Sequence, residues 1–231
     1  AASSINGGGS VQWLRHELPS HVAGHGLGTG DIDGDGRLDL VAPNGWLAGP
    51  QNARSGRWRW HPEFELHRDS SIPILVHDVD RDGDQDLIWG RGHNIGLYWL
   101  EQTTAAGRRA WTMHAIDTSW SSPHSLLMGD VNGDGVDELI AGKRFLGHDG
   151  KDPGEWDPLL IVAYHFHPAQ RTWQALPISH GGQGGFDLDP AVGDVDSDGD
   201  LDLVAATRGG LCLLENVGAG PTQRDAALMP Q

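Results

Sequence analysis

A ten-residue pattern recurs four times along the chain. It reads DIDGDGRLDL from Asp31, DVDRDGDQDL from Asp78, DVNGDGVDEL from Asp130 and DVDSDGDLDL from Asp194. The copies start 47, 52 and 64 residues apart. A second marker keeps step with them: Trp13, Trp58, Trp111 and Trp173 precede the four copies by 18, 20, 19 and 21 residues. In three units a histidine follows the tryptophan three places on, at His16, His61 and His114. Repetition at this period points to an array of supersecondary units, each too small to bury its own apolar face alone.

Each unit divides into four short apolar runs bounded by Gly and Pro. The tryptophan sits in one (VQWLRHEL, AWTMHAI), a second enters the acidic pattern (PILVHDV, SLLMGDV), a third leaves it (LDLVAP, DLIWG), and a fourth follows (IGLYWL, LLIVAYHF, LCLLEN). These runs are strand-like, and no helical periodicity of ten or more residues interrupts them. The chain holds 34 Gly and 13 Pro in 231 residues, as a turn-rich protein does. The expected fold is therefore all-β, a β-propeller of four four-stranded blades, either a closed four-bladed ring or part of a larger propeller. The first tryptophan run, at 11–18, is placed to complete the last blade. Residues 1–10 and 218–231 are expected as flexible ends flanking a propeller at 11–217.

The acidic pattern has the chemistry of a hard-cation loop. In the first copy Asp31, Asp33, Asp35 and Asp39 fall at positions one, three, five and nine, and the carbonyl of Arg37 at position seven adds an oxygen. A Gly at position six permits the sharp turn. The second loop offers Asp78, Asp80, Asp82, Asp84 and Asp86; the third Asp130, Asn132, Asp134, Val136 and Glu138; the fourth Asp194, Asp196, Asp198, Asp200 and Asp202. Oxygen donors at this density select Ca²⁺. Position twelve is Ala42, Trp89, Ala141 or Ala205 rather than the Glu of an EF-hand, and the flanks read as strands. Up to four structural Ca²⁺ are expected. They would halve the net charge of −16, since these loops hold 18 of the 32 acids. That net charge excludes nucleic acid and anionic membranes as partners, and no apolar run approaches the ~18 residues of a membrane span. The lone Cys212 excludes an internal disulfide and a multi-cysteine zinc site.

On these loops the sequence resembles the FG-GAP/VCBS repeat family, whose hallmark is the DxDGDGxxDL loop in each propeller blade. A narrower likeness covers PHSLLMGDVNGDGVDELIAGKRFLGHDGKDPGEWDP, GHGLGTGDIDGDGRLDL and APNGW. These segments are similar to the propeller of the aldos-2-ulose dehydratase family. That family's propeller usually has seven blades, against four copies here, and its fungal member adds cupin domains that this chain lacks. The resemblance implies a metal-assisted dehydratase acting on keto-sugars such as anhydrofructose, a carbon–oxygen lyase. The broader family implies a calcium-loaded binding or scaffold module, carbohydrate-related and extracytoplasmic.

Blade geometry supplies a candidate site of its own. Residues about six before each loop, and about 13–15 after its first Asp, border the central axis on the face opposite the calcium loops. Before the loops stand His25, His124, Asp187 and Asp189; after them Asn44, Arg91, His93, Lys143, Arg144 and Arg208, with His148 in an insertion of the third unit. Several imidazoles together suit Zn²⁺. A His or Asp would remove a proton next to a sugar carbonyl, and Lys143 and Arg144 would steady the developing oxyanion. The catalytic set is thus His25, His93, His124, Lys143, Arg144, His148, Asp187 and Asp189. Trp13, Trp58, Trp111 and Trp173 read as blade core, while Trp46, Trp120 and Trp156 are candidates for a carbohydrate cleft. His16, His61 and His114 read as blade packing, and His77 as a space filler. The expected location is secreted or periplasmic. The expected partner is a carbohydrate or small molecule at the axis, with self-association if the ring is incomplete.

Overall fold

The computed structural model describes Trp13 and residues 15–19, 22, 24–182 and 184–218. The expected flexible ends at 1–10 and 219–231 lie outside the described residues. Among the described residues there are fifteen strands and no helix. The strands form four antiparallel sheets, each a meander.

Blade one runs β1 (Gly28–Gly30), β2 (Asp39–Ala42), β3 (Gly45–Ala48) and β4 (Arg59–His61). Blade two runs β5 (Leu75–His77), β6 (Asp86–Gly90), β7 (Ile95–Ala105) and β8 (Arg108–Ser121). Blade three runs β9 (Pro123–Gly129), β10 (Glu138–Lys143), β11 (Leu160–His167) and β12 (Thr172–His180). Blade four has β13 (Ala191–Gly193), β14 (Asp202–Thr207) and β15 (Gly210–Leu214). Each acidic loop joins the first and second strands of its blade, as expected.

The period-two alternation of a strand explains how blades stack. In β6, Leu87 and Trp89 pack towards blade one with Val41, Trp46 and Ile74. Ile88 between them packs towards blade three with Leu126, Leu139 and Tyr164. In β10, Leu139 and Ala141 join that second interface, while Ile140 packs with Phe186, Leu203 and Ala205 of blade four. One strand therefore feeds two cores.

The innermost segments knit blade to blade by backbone hydrogen bonds. Ile74 N donates to Leu27 O at 3.1 Å and Ile72 N to His124 O at 3.0 Å. Ser125 Oγ donates to Leu188 O at 2.9 Å. Residues 24–27, 70–74, 122–125 and 186–190 thus converge where a propeller has its axis.

The apolar clusters join blades one to two, two to three and three to four. The segment 11–18, expected to complete blade four, lies only partly within the described residues. Trp13 and residues 15–19 carry no strand, and Trp13 is 91% exposed. Leu211 and Leu213 on β15 stay 76% and 52% exposed. Alternation in VQWLRHEL marks strand propensity but does not specify a partner edge.

The tryptophans also sort differently from expectation. Trp46, Trp89, Trp99 and Trp120 are buried, whereas Trp58, Trp111 and Trp173 are only half-buried. The marker tryptophans belong to, or lie just before, the fourth strand. That strand is the outermost of its blade, and one of its faces meets solvent. Their histidine companions do pack: His61 stacks on Trp46 with ring centroids 4.1 Å apart, and His114 on Trp99 at 4.7 Å. His16 is exposed.

Candidate functional site

All four acidic loops adopt one turn. The first Asp accepts the backbone N–H of positions five and six: Asp31 from Asp35 and Gly36, Asp78 from Asp82 and Gly83, Asp130 from Asp134 and Gly135, Asp194 from Asp198 and Gly199. Position six sits at φ between 81° and 99° (Gly36, Gly83, Gly135 and Gly199), the left-handed region that glycine enters without strain.

The ninth residue is buried in every loop: Asp39, Asp86 and Glu138 at 0% exposure and Asp202 at 1%. It is a structural pin as well as a possible ligand. Asp39 accepts Ile32 N and Gly49 N, Asp86 accepts Val79 N and Gln102 N, and Asp202 accepts Val195 N and Asn216 N. Desolvation pushes the Asp86 carboxyl up to about 7 against the lowering pull of these N–H groups. Asp39 is raised by the same cause, with Asp33 and Asp31 adding like-charge repulsion.

The donor set fits a hard cation. One carboxylate oxygen each of Asp31, Asp33 and Asp39 lies within 4.8 Å of the others, and the same holds for Asp78, Asp80 and Asp82. Asp33 Oδ1, Asp80 Oδ1 and Asp200 Oδ1 are buried with no hydrogen-bond partner. Arg37 and Val136 sit at position seven with Asp84 and Asp200, as the repeat requires. The Arg37 side chain turns back on the Asp35 carboxylate and donates to Gly49 O at 2.7 Å.

At the axis the structure brings His25, His93 and His124 together. One ring nitrogen of each lies within 4.8 Å of the others. The rings stand edge-on, with centroids 4.8–5.2 Å apart and interplanar angles of 76–89°. His25 lies between Gly24 and Gly26 before β1; Gly26 has φ of 90°, and a Cβ there would lie 2.5 Å from Ser71 O. His93 occupies the turn between β6 and β7, and His124 is the second residue of β9.

The partners fix the tautomers. His25 Nδ1 meets Ser70 O at 2.6 Å, and a carbonyl only accepts, so Nδ1 carries the proton. His93 Nδ1 meets Asp152 Oδ2 at 3.0 Å, so it too donates. The two Nε2 atoms then face each other across 3.1 Å, a gap that either a shared proton or a bound cation would bridge. Lone pairs at that separation repel with neither between them. Nitrogens about 2.0–2.1 Å from a tetrahedral Zn²⁺ lie about 3.3 Å apart, so the spacing suits such an ion. His124 is 2% exposed, and its Nδ1 is buried without a partner. Burial first, then Arg144 and the neighbouring imidazoles, pushes His124 down to about 3, so it is a neutral donor. Burial likewise lowers His93.

His148 and Asp152 belong to the insertion between β10 and β11. His148 Nδ1 meets Asp152 Oδ2 at 2.9 Å, and its ring stacks on His93 at 4.3 Å. One carboxylate oxygen therefore orients two imidazoles. Buried Glu155 pins the insertion by accepting His148 N and Gly150 N. Neither Asp152 nor Glu155 was among the expected site residues. The i,i+4 pairing of Asp152 with His148 was the signal that could have found Asp152.

Other expected members lie elsewhere. Lys143 is fully buried, with Nζ donating to Ser121 Oγ at 2.7 Å. It closes β10 at a register shift between Gly142 and Lys143, and Arg144 lies just beyond the strand. Arg144 is the member whose charge acts on His124. Asp187 accepts Phe145 N at 3.3 Å, and Asp189 is exposed on blade four; no contact joins either to the histidines among the described residues. Arg91 is held by Asp69, and Arg208 by Asp149. Trp46 and Trp120 are core, and Trp156 alone of the three cleft candidates is open, at 69%.

Two comparisons bear on this site. Residues 78–141, from the second acidic loop to the strand after the third, match the model of the FG-GAP-like repeat. Over 238 aligned residues the chain is 24% identical to rhamnogalacturonan exolyase YesX of Bacillus subtilis (strain 168). That alignment takes in 80% of this chain and spans 38% of the relative's length. Four antiparallel sheets carry the four acidic loops as the blades of a β-propeller would, and the segment from the second loop to the strand after the third is similar to the FG-GAP-like repeat.

Proposed function

We propose that the chain is the calcium-loaded propeller portion of a carbohydrate-directed lyase, with a transition-metal site on His25, His93 and His124. The observation that carries this reading is the pair of Nε2 atoms 3.1 Å apart, the other nitrogen of each ring being held by an acceptor. Such second-shell partners orient imidazoles at metal centres. A bound ion would polarise a sugar carbonyl or carboxylate and acidify the neighbouring C–H bond.

The chain's own residues divide the remaining work. His148 is half exposed, and its Nδ1 is engaged by Asp152, so Nε2 is free to take a proton from that carbon. Asp152 stabilises the imidazolium that results. Arg144 supplies positive charge beside the developing oxyanion. The oxygen substituent one carbon further on departs, taking a proton from solvent water, and the electron pair of the broken C–H bond forms the double bond. The substrate is a sugar carrying a carbonyl beside an acidic C–H, either a keto-sugar or a uronate unit in a chain. Similarity to a rhamnogalacturonan exolyase favours a uronate. Calcium in the all-oxygen loops is structural, and millimolar extracellular calcium suits such loops, so the protein works outside the cytoplasm.

The test is elimination by the metal-loaded protein, followed by ultraviolet absorbance of the unsaturated product, on a keto-sugar and on a uronate oligosaccharide. His148→Ala should abolish turnover while retaining the axial metal. His124→Ala should lose both. Metal retention with no elimination on either substrate would reduce the site to a binding module.

A further inference from the structure

The repeat breaks its own pattern at the third loop. Position three is Asn132 where the other loops have Asp33, Asp80 and Asp196, and position nine is Glu138 where they have Asp. Strand register adds a third departure. His165 on β11 occupies the position held by Ala48, Glu101 and Glu215 in the other blades.

These departures meet in space. In loops one, two and four both oxygens of the ninth residue accept backbone N–H groups, one from the loop and one from the third strand or from within two residues after it. Glu138 keeps only the first kind, accepting Val131 N through Oε2 at 3.1 Å. Its longer side chain carries Oε1 to Asn132 Nδ2 at 2.6 Å and to His165 Nδ1 at 2.7 Å. Asp134 Oδ2 approaches the same ring nitrogen at 3.8 Å. Asp134, Glu138 and His165 therefore present one donor atom each within 4.8 Å of one another. Asp134 and His165 also line a cleft of about 430 Å³ between blades two and three, which opens the cluster to solvent.

We propose that Asp134, Glu138 and His165 form a mixed nitrogen–oxygen site for a borderline divalent ion such as Zn²⁺, Co²⁺ or Mn²⁺, in place of calcium at the third loop. Imidazole is a ligand for these ions and a poor one for Ca²⁺. Asn132 keeps an amide oxygen at position three but lacks the negative charge of an Asp, so the third loop holds a hard dication with one charge fewer there. The site is separate from the axial histidines, lying on the calcium-loop side of the blades.

Cobalt titration of chelator-treated full chain, in excess Ca²⁺, tests the proposal by visible absorbance and bound-metal stoichiometry. Wild type should bind two Co²⁺, and His165→Ala and His124→Ala should each bind one. One cobalt lost in His165→Ala with none lost in His124→Ala supports this proposal and overturns only the axial site. Asn132→Asp combined with Glu138→Asp rewrites the loop to match the others. That variant should lose the loop-three cobalt and gain one Ca²⁺, a result that folding failure cannot mimic. Unchanged cobalt stoichiometry in His165→Ala, or a calcium in the wild-type third loop, would overturn the proposal.

Discussion

Asp202→Asn separates two roles that the ninth loop residue combines. Asp202 is 1% exposed, and its carboxylate accepts Val195 N and Asn216 N, both at 2.8 Å. An asparagine keeps one acceptor and turns an NH₂ group against the other N–H. A buried donor left without an acceptor costs about 1–3 kcal/mol, so a loss of about 2 kcal/mol is expected with no metal present. A domain of this size shifts by about 2–4 °C per kcal/mol, so the Tm should fall by about 4–8 °C. Asp196→Asn is the matched control. It removes the same charge from the same loop at an exposed position, so relief of like-charge repulsion cancels between the two variants. The control should move the metal-free Tm by less than about 2 °C while weakening calcium binding. The assay is thermal melting in excess chelator at fixed pH, repeated with calcium. If Asp202→Asn melts with Asp196→Asn in chelator, the buried carboxylate is only a ligand, and the pin argument is wrong.

Two further outcomes follow from burial and charge. His124 titrates near 6.5 when unfolded and is pushed down to about 3 in the fold, which favours the neutral ring. That contribution is full above pH 6.5 and is lost as pH falls towards 3, up to about 5 kcal/mol. Urea unfolding of the metal-free protein at stepped pH should show the loss, and His124→Gln should flatten it; equal slopes would remove His124 as the cause. Trp46→Ala, at 0% exposure between blades one and two, should lose about 3–5 kcal/mol, while Trp156→Ala, 69% exposed, should change stability by less than about 0.5 kcal/mol. Equal effects in denaturant melts would contradict the assigned packing.

The acidic loops and the blade order were legible because their information is local. Asp and Gly at fixed offsets dictate one turn, and each turn sits between two apolar runs. The axial histidines were legible from offsets to those loops, since strands of fixed rise place residues six before and about fifteen after the first Asp on one face. Lys143 and Arg144 were not separable in that way, because the count did not resolve the register shift at the end of β10. Asp152 escaped because the insertion that carries it has no counterpart in the other units. The tryptophans were misassigned because recurrence marks a shared position in the blade, not its depth. Trp60 and Trp173 lie on the outermost strands β4 and β12, whereas Trp89 and Trp99 lie on the inner strands β6 and β7. Closure at blade four depends on long-range pairing, which no local pattern encodes.

The most direct test is X-ray absorption at the zinc edge on the variant carrying Asn132→Asp and Glu138→Asp, loaded with one equivalent of Zn²⁺. The axial site predicts a first shell of nitrogen at about 2.0–2.1 Å with outer-shell scattering from three imidazoles. A shell of oxygen alone, or failure to retain zinc after dialysis, would contradict the account.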